Sequence, residues 1–175
     1  IINGSMQIDQ RNSGASVTPT NGAYTLDRWF CSLSQASKYT VQQNAGSVTP
    51  PAGFNNYLGI TSLSAYSILS TDYFGLRQQI EGLNVANMGW GTANAKTFTI
   101  SAWVYSSLTG TFGGAFENDD NNRSYPFTYT ISSSNTWTQI SITIPGDTTG
   151  TWNKNNNAGG KGYFSLGMGR SEEHT

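Results

Sequence analysis

Glycoside hydrolysis needs only two carboxyl groups at a suitable separation. The chain offers Asp9, Asp27, Asp72, Glu81, Glu117, Asp119, Asp120 and Asp147. Sequence sets no distance between them, and a short domain with so few acids points to a non-enzymatic protein. The sole histidine, His174, lies next to the terminus. A serine or cysteine nucleophile therefore lacks a histidine base, and zinc lacks a histidine cluster. There is no P-loop, no glycine-rich dinucleotide fingerprint after a strand and no HExxH. Cys31, between Phe30 and Ser32 in an apolar run, has the setting of a small buried hydrophobe.

The most polar cluster with chemistry in it is "AFENDDNNRSYPF". Glu117, Asn118, Asp119 and Asp120 carry oxygens of the kind calcium prefers, although the spacing and glycine of an EF-hand loop are missing. The competing expectation is a solvated hairpin loop. Arg123 and Tyr125 follow directly; they could hydrogen-bond to and stack on a sugar, or equally brace the loop.

Aromatic residues make up 13% of the chain and include five tryptophans. Such a content fits sugar recognition, because aromatic rings stack on the apolar C–H faces of pyranoses while amides and carboxylates bind the hydroxyls. It also fits a sandwich core filled with large rings. Trp29 and Trp137 are expected in core or sheet-edge packing. Trp90, Trp103, Tyr105 and Trp152, near loops or on an outer face, are open to either role, and Trp90, Trp103, Tyr105, Asn118, Arg123 and Tyr125 form the candidate ligand set.

Serine, threonine, asparagine, glycine and aromatics dominate the elements that must position these groups, which favours sheet and turn over helix. Strands are expected in "SMQID", "AYTLDRWFCSL", "KYTVQQ", "YLGITSL", "YFGLRQQIE", "KTFTISAWVYSS", "GTFGGAFEN", "YPFTYTIS", "TWTQISITIP" and "YFSLGM". "EGLNVANMGWG" can hold a helical turn or two. So many short strands predict an all-β jelly-roll sandwich of two antiparallel sheets. No linker divides the chain, so one domain is expected over residues 1–169.

"KTFTISAWVYSS" is apolar on both faces. Side chains alternate along a strand, so Phe98, Ile100, Ala102 and Val104 are expected to face the opposite sheet. Trp103 and Tyr105 then stand on the outer face behind a threonine and serine ladder. "TWTQISITIP" repeats the pattern, with Ile140, Ile142 and Ile144 on a dry face.

Only 11% of residues are charged and the formal net charge is −1. No field gathers nucleic acid or an anionic membrane, no apolar run is long enough to span a bilayer, and the first residues lack the pattern of a secretory signal.

The ordered motifs "NGSMQIDQR", "YTLDRW", "LRQQIEGLNVANMGWGTANAKTFTISAWVYSSLTGTFGGAFEN", "RSYPFTYTI" and "TWTQISITIPGDTTGTW" resemble a module of bacteriophage tail-fibre and other virion structural proteins, especially from aquatic metagenomes. The "ISAWV" and "TWTQISITIP" outline is also similar to carbohydrate-binding modules of the galactose-binding-like sandwich superfamily. The resemblance implies a jelly roll, a structural calcium in many members, and a sugar site on a concave face or loop tips. It carries over no binding residue.

Two departures stand out. The family continues through further strands beyond "FSLGMG", so a C-terminal truncation, an exposed sheet edge and self-association there are expected. The final "RSEEHT", residues 170–175, matches one reading frame of a widely used sequencing adapter and reads as a non-native tail on a metagenomic fragment. The expected function is a non-enzymatic module on the virion surface that binds host-surface glycan and contacts other virion proteins. The alternatives are a structural spacer without ligand and a carbohydrate-binding module of a polysaccharide-degrading enzyme.

Overall fold

The computed structural model describes residues 1–165, and the adapter-like tail lies outside them. Nine strands are present among the described residues: β1 (Phe30–Leu33), β2 (Tyr39–Gln43), β3 (Leu58–Ser62), β4 (Phe74–Glu81), β5 (Phe98–Val104), β6 (Gly110–Glu117), β7 (Ser124–Ile131), β8 (Thr138–Ile144) and β9 (Ala158–Ser165). The expected helical turn is α1 (Gly82–Val85), continued by a 3-10 turn over Ala86–Met88. The registered strand pairs are all antiparallel. The all-β antiparallel sandwich expected from the sequence is therefore what the chain forms. Contacts divide it into two compact units, Ile1–Gln78 and Gln79–Phe164, with the boundary inside β4 and not in a linker.

In the first unit β1 pairs with β4 and β2 with β3. Cys31, Leu33 and Phe74 from one pair pack with Tyr39 and Val41 from the other, joined by Leu26 and Trp29. Trp29 is thus a core residue, and Cys31 is wholly buried. Burial pushes the Cys31 thiol up from its ordinary value.

Two expected strands are shorter or absent in this unit. "SMQID" is irregular chain after a turn, because the Asn3 side chain captures local backbone: its Nδ2 donates to the carbonyls of Ile8 and Asp27, and its Oδ1 accepts from the Ile8 N–H. Such bonds compete with a strand ladder. In "AYTLDRWFCSL" only the end is strand. Residues Thr25–Trp29 fold into a tight turn closed by the Trp29 N–H on the Leu26 carbonyl, with Arg28 left-handed at φ 73°.

In the second unit β6 lies between β7 and β9, and β5 pairs with β8. Each pair turns one face inward. Ile100, Phe98, Ile142 and Ile144 from β5 and β8 pack with Phe116 and Phe127 from β6 and β7, and Trp90 fills the space between. Within the β9–β6–β7 sheet the neighbouring strands require a glycine at 114, where a Cβ would sit 2.5 Å from the Phe127 ring and from the Tyr163 carbonyl oxygen. No helix among the described residues is long and apolar enough to cross a membrane.

Candidate functional site

The β5–β8 pair has the two-faced character read from its alternation. Its register places Phe98 opposite Ile144, Ile100 opposite Ile142 and Ala102 opposite Ile140, so like faces meet like. The other face carries Thr99 opposite Thr143, Ser101 opposite Ser141 and Trp103 opposite Gln139. All six of these outer side chains are exposed. The two threonine hydroxyls stand 3.4 Å apart.

Continuing the same register one step past the strand ends brings Tyr105 beside Trp137. Their ring centroids lie 5.3 Å apart with planes inclined at 54°. The Tyr105 hydroxyl donates to Asn135 Oδ1 at 3.4 Å, and the Asn135 N–H donates to the Ser106 carbonyl at 2.7 Å. Both rings are half-buried, while Trp103 keeps 38% of its surface exposed. A strip of hydroxyls and one amide ending in three aromatic rings can stack on and hydrogen-bond to a polyol surface.

A second group forms at the β6–β7 turn. Asn118 is fully buried, and its side chain is engaged on every side. Oδ1 accepts from the Asn122 and Arg123 N–H groups, while Nδ2 donates to Asn122 Oδ1 and the Thr151 carbonyl. It is the organiser of the turn. Arg123 pairs with Asp147 through Nε and Nη2, the latter at 2.8 Å, and Nη2 also reaches Thr149 Oγ1. Asp147 accepts in addition from Trp152 Nε1 at 3.1 Å. The Arg123 guanidinium, helped by the Thr149 and Trp152 donors, holds the Asp147 carboxyl well below the usual carboxylate range.

Trp90 belongs to the core and not to a ligand surface. It is 4% exposed, lies edge-on to Trp152 at 4.5 Å between centroids, and donates its indole N–H to the Lys96 carbonyl. Trp152 in turn stacks on Phe116 at 6.0 Å. Tyr125, opposite Phe116 at the start of β7, is 38% exposed.

The oxygens read as calcium ligands meet a different cation. Lys161 Nζ donates to the Asp119 carbonyl at 2.6 Å and to Asn121 Oδ1 at 3.0 Å, and stands 3.4 Å from Asp119 Oδ1. Asp119 Oδ2 accepts from Asn153. Among the described residues no three His, Cys, Asp or Glu side chains cluster as a metal site. A buried ammonium therefore already engages the Asp119 carbonyl and carboxylate and the Asn121 amide oxygen of this turn.

The structure thus separates the candidate set. Trp103 on the outer face of β5 and Tyr105 one step past its end lie on the same side, Asn118 and Arg123 brace the turn, and Trp90 is interior. Trp137 and Gln139 join the first pair. The alternation of "TWTQISITIP" sets Gln139 on the face away from Ile140, whereas Trp137 is expected in core or sheet-edge packing; the register matches Gln139 to Trp103 and brings Trp137 beside Tyr105.

No family model matches the chain, and no curated protein matches it. Among solved structures it is similar to the enzymatically active domain of tailspike protein 4 of bacteriophage CBA120, with a TM-score of 0.51 at 13% identity, covering 86% of this chain and 19% of that one. It also aligns with the family 11 carbohydrate-binding module of a cellulosomal cellulase of Clostridium thermocellum, with a TM-score of 0.39 at 16% identity, covering 93% of this chain and 99% of the module. The likeness to the tailspike domain is one of fold.

Proposed function

We propose that this chain is a non-enzymatic glycan-binding module of a virion surface protein, with its site on the outer face of β5 and β8. The observation that carries the reading is Trp103, an exposed indole flanked by hydroxyl and amide side chains on a regular sheet face. An apolar plane with hydrogen-bonding groups at its margin matches the apolar C–H face and peripheral hydroxyls of a sugar ring. The virion assignment draws on the motif resemblance and on the tailspike fold likeness.

Several of the acids accept hydrogen bonds that brace the fold, which favours binding over catalysis. Asp9 accepts from the Asn12 and Gly14 N–H groups, Asp27 from Gln10, Asp72 from Leu69 and Ser34, Asp119 from Asn153, and Asp147 from Arg123. Carboxylates committed to bracing turns are poorly suited to shuttle protons at a glycosidic bond. Weak single sites would be multiplied by avidity where many copies are displayed.

The test is a glycan array probed with the protein on a multivalent carrier, wild type against Trp103→Ala, after the melting curves of the two are matched. Signal on bacterial polysaccharides that the substitution removes is expected. An array that stays blank across a broad panel overturns the reading in favour of a structural spacer.

A further inference from the structure

We propose that the ligand of the β5–β8 face is an uncharged polysaccharide, bound along its length with the sugar chain running parallel to the strands. This rests on the glycan-binding reading above and adds the class and the direction of the ligand.

The charge argument is local. From Thr99 to Tyr105 and from Trp137 to Thr143, the outer-face positions carry hydroxyl, amide, phenol and indole groups and no ionisable acid or base of ordinary pKa near neutrality. The cations of the β6–β7 turn are committed elsewhere, Arg123 to Asp147 and Lys161 to Asp119. A sulfated or uronic polysaccharide laid on this strip would shed water from its anions and gain no counter-charge in return. A neutral one has its hydroxyls matched by Thr, Ser and Gln side chains that both donate and accept.

Direction follows from the ladder. Six residue steps separate Thr99 from Tyr105, a distance of ~20 Å along the strand. Trp103 and Tyr105 are two residues apart on one face, so their rings begin ~7 Å apart in the same direction. The aromatics therefore form successive stations down the strand at one end, and the hydroxyl pairs Thr99–Thr143 and Ser101–Ser141 continue the line at the other. All are exposed or half-buried side by side on an open face, which suits the middle of a polymer better than a pocketed chain end.

The experiment measures binding of the multivalent protein to immobilised neutral polysaccharides (a β-glucan, a mannan and a galactan) and to acidic ones (alginate and a sulfated galactan), at low and at high salt. Neutral oligosaccharides of increasing length serve as competitors. Expected are retention on a neutral polymer unchanged by salt, roughly tenfold weaker binding for Trp103→Ala, and competitor strength that rises with length and levels once ~20 Å is spanned. Binding confined to acidic polymers and lost at high salt would overturn the uncharged ligand while leaving glycan binding intact. A monosaccharide that competes as well as a long oligosaccharide overturns the lengthwise placement. Retention on neither class overturns this inference and the reading beneath it together.

Discussion

Lys161 buries its ammonium in the β6–β7 turn, 2.6 Å from the backbone carbonyl of Asp119 and 3.4 Å from that residue's carboxylate. A cation built into the chain does here what a bound metal ion does in other oxygen-rich turns, neutralising and cross-linking converging oxygens.

Lys161→Met is therefore expected to destabilise the fold by about 1–3 kcal/mol, the cost of leaving buried acceptors without a donor. Urea denaturation measures it. For the wild type, excess calcium and EDTA should give the same melting temperature, and a calcium-dependent rise would show that the turn takes metal after all.

Asp147 makes stability depend on acid. Its carboxyl is held below its ordinary value of 3.8, first by the hydrogen bond from Arg123. A depressed native pKa contributes stability that is complete above the unfolded value and drains away as pH falls through the native one. The urea midpoint of the wild type should accordingly be independent of pH through Asp147 near neutrality, where the full contribution is present, and fall once pH drops below about 4. Asp147→Asn starts lower at pH 7 and should show a shallower fall in that acid range; parallel curves for the two proteins would contradict the assignment.

Trp90 and Trp103 are expected to part company on mutation. Trp90→Ala opens a cavity among Phe98, Phe116 and Trp152 and should cost about 3–5 kcal/mol. Trp103→Ala removes an exposed ring and should change stability by less than ~0.5 kcal/mol. Thermal melts of the two variants settle the matter, and a large loss in Trp103→Ala would mean that the ring is structural.

Gly114→Ala should destabilise by about 1–3 kcal/mol through overpacking, since its methyl meets the Phe127 ring and the Tyr163 carbonyl oxygen. Gly162→Ala, with nothing within 4 Å of the added atom, is the control and should be far milder by the same melt.

Much of the outer-face site is legible in one dimension. The period-two alternation of "KTFTISAWVYSS" and "TWTQISITIP" separates an apolar set headed by Ile100 and Ile140 from a polar and aromatic set headed by Trp103, and the burial of those residues follows it. The turn at Asn118 is less legible. Oxygen-rich side chains in a loop look alike whether they hold calcium, water or a lysine, and the lysine in question enters from β9.

The sequence by itself determined the all-β class, the inner and outer faces of β5 and β8, and the helical turn after β4, because alternation and propensity are properties of neighbouring residues. Tertiary structure alone decided that Tyr105 meets Trp137, that Trp90 lies in the core, and that Arg123 pairs with Asp147 and Lys161 with Asp119, across 24 and 42 residues. Strand register and long-range ion pairs depend on which segments the chain brings together. An isolated charge or ring is chemically compatible with many partners, and packing selects one.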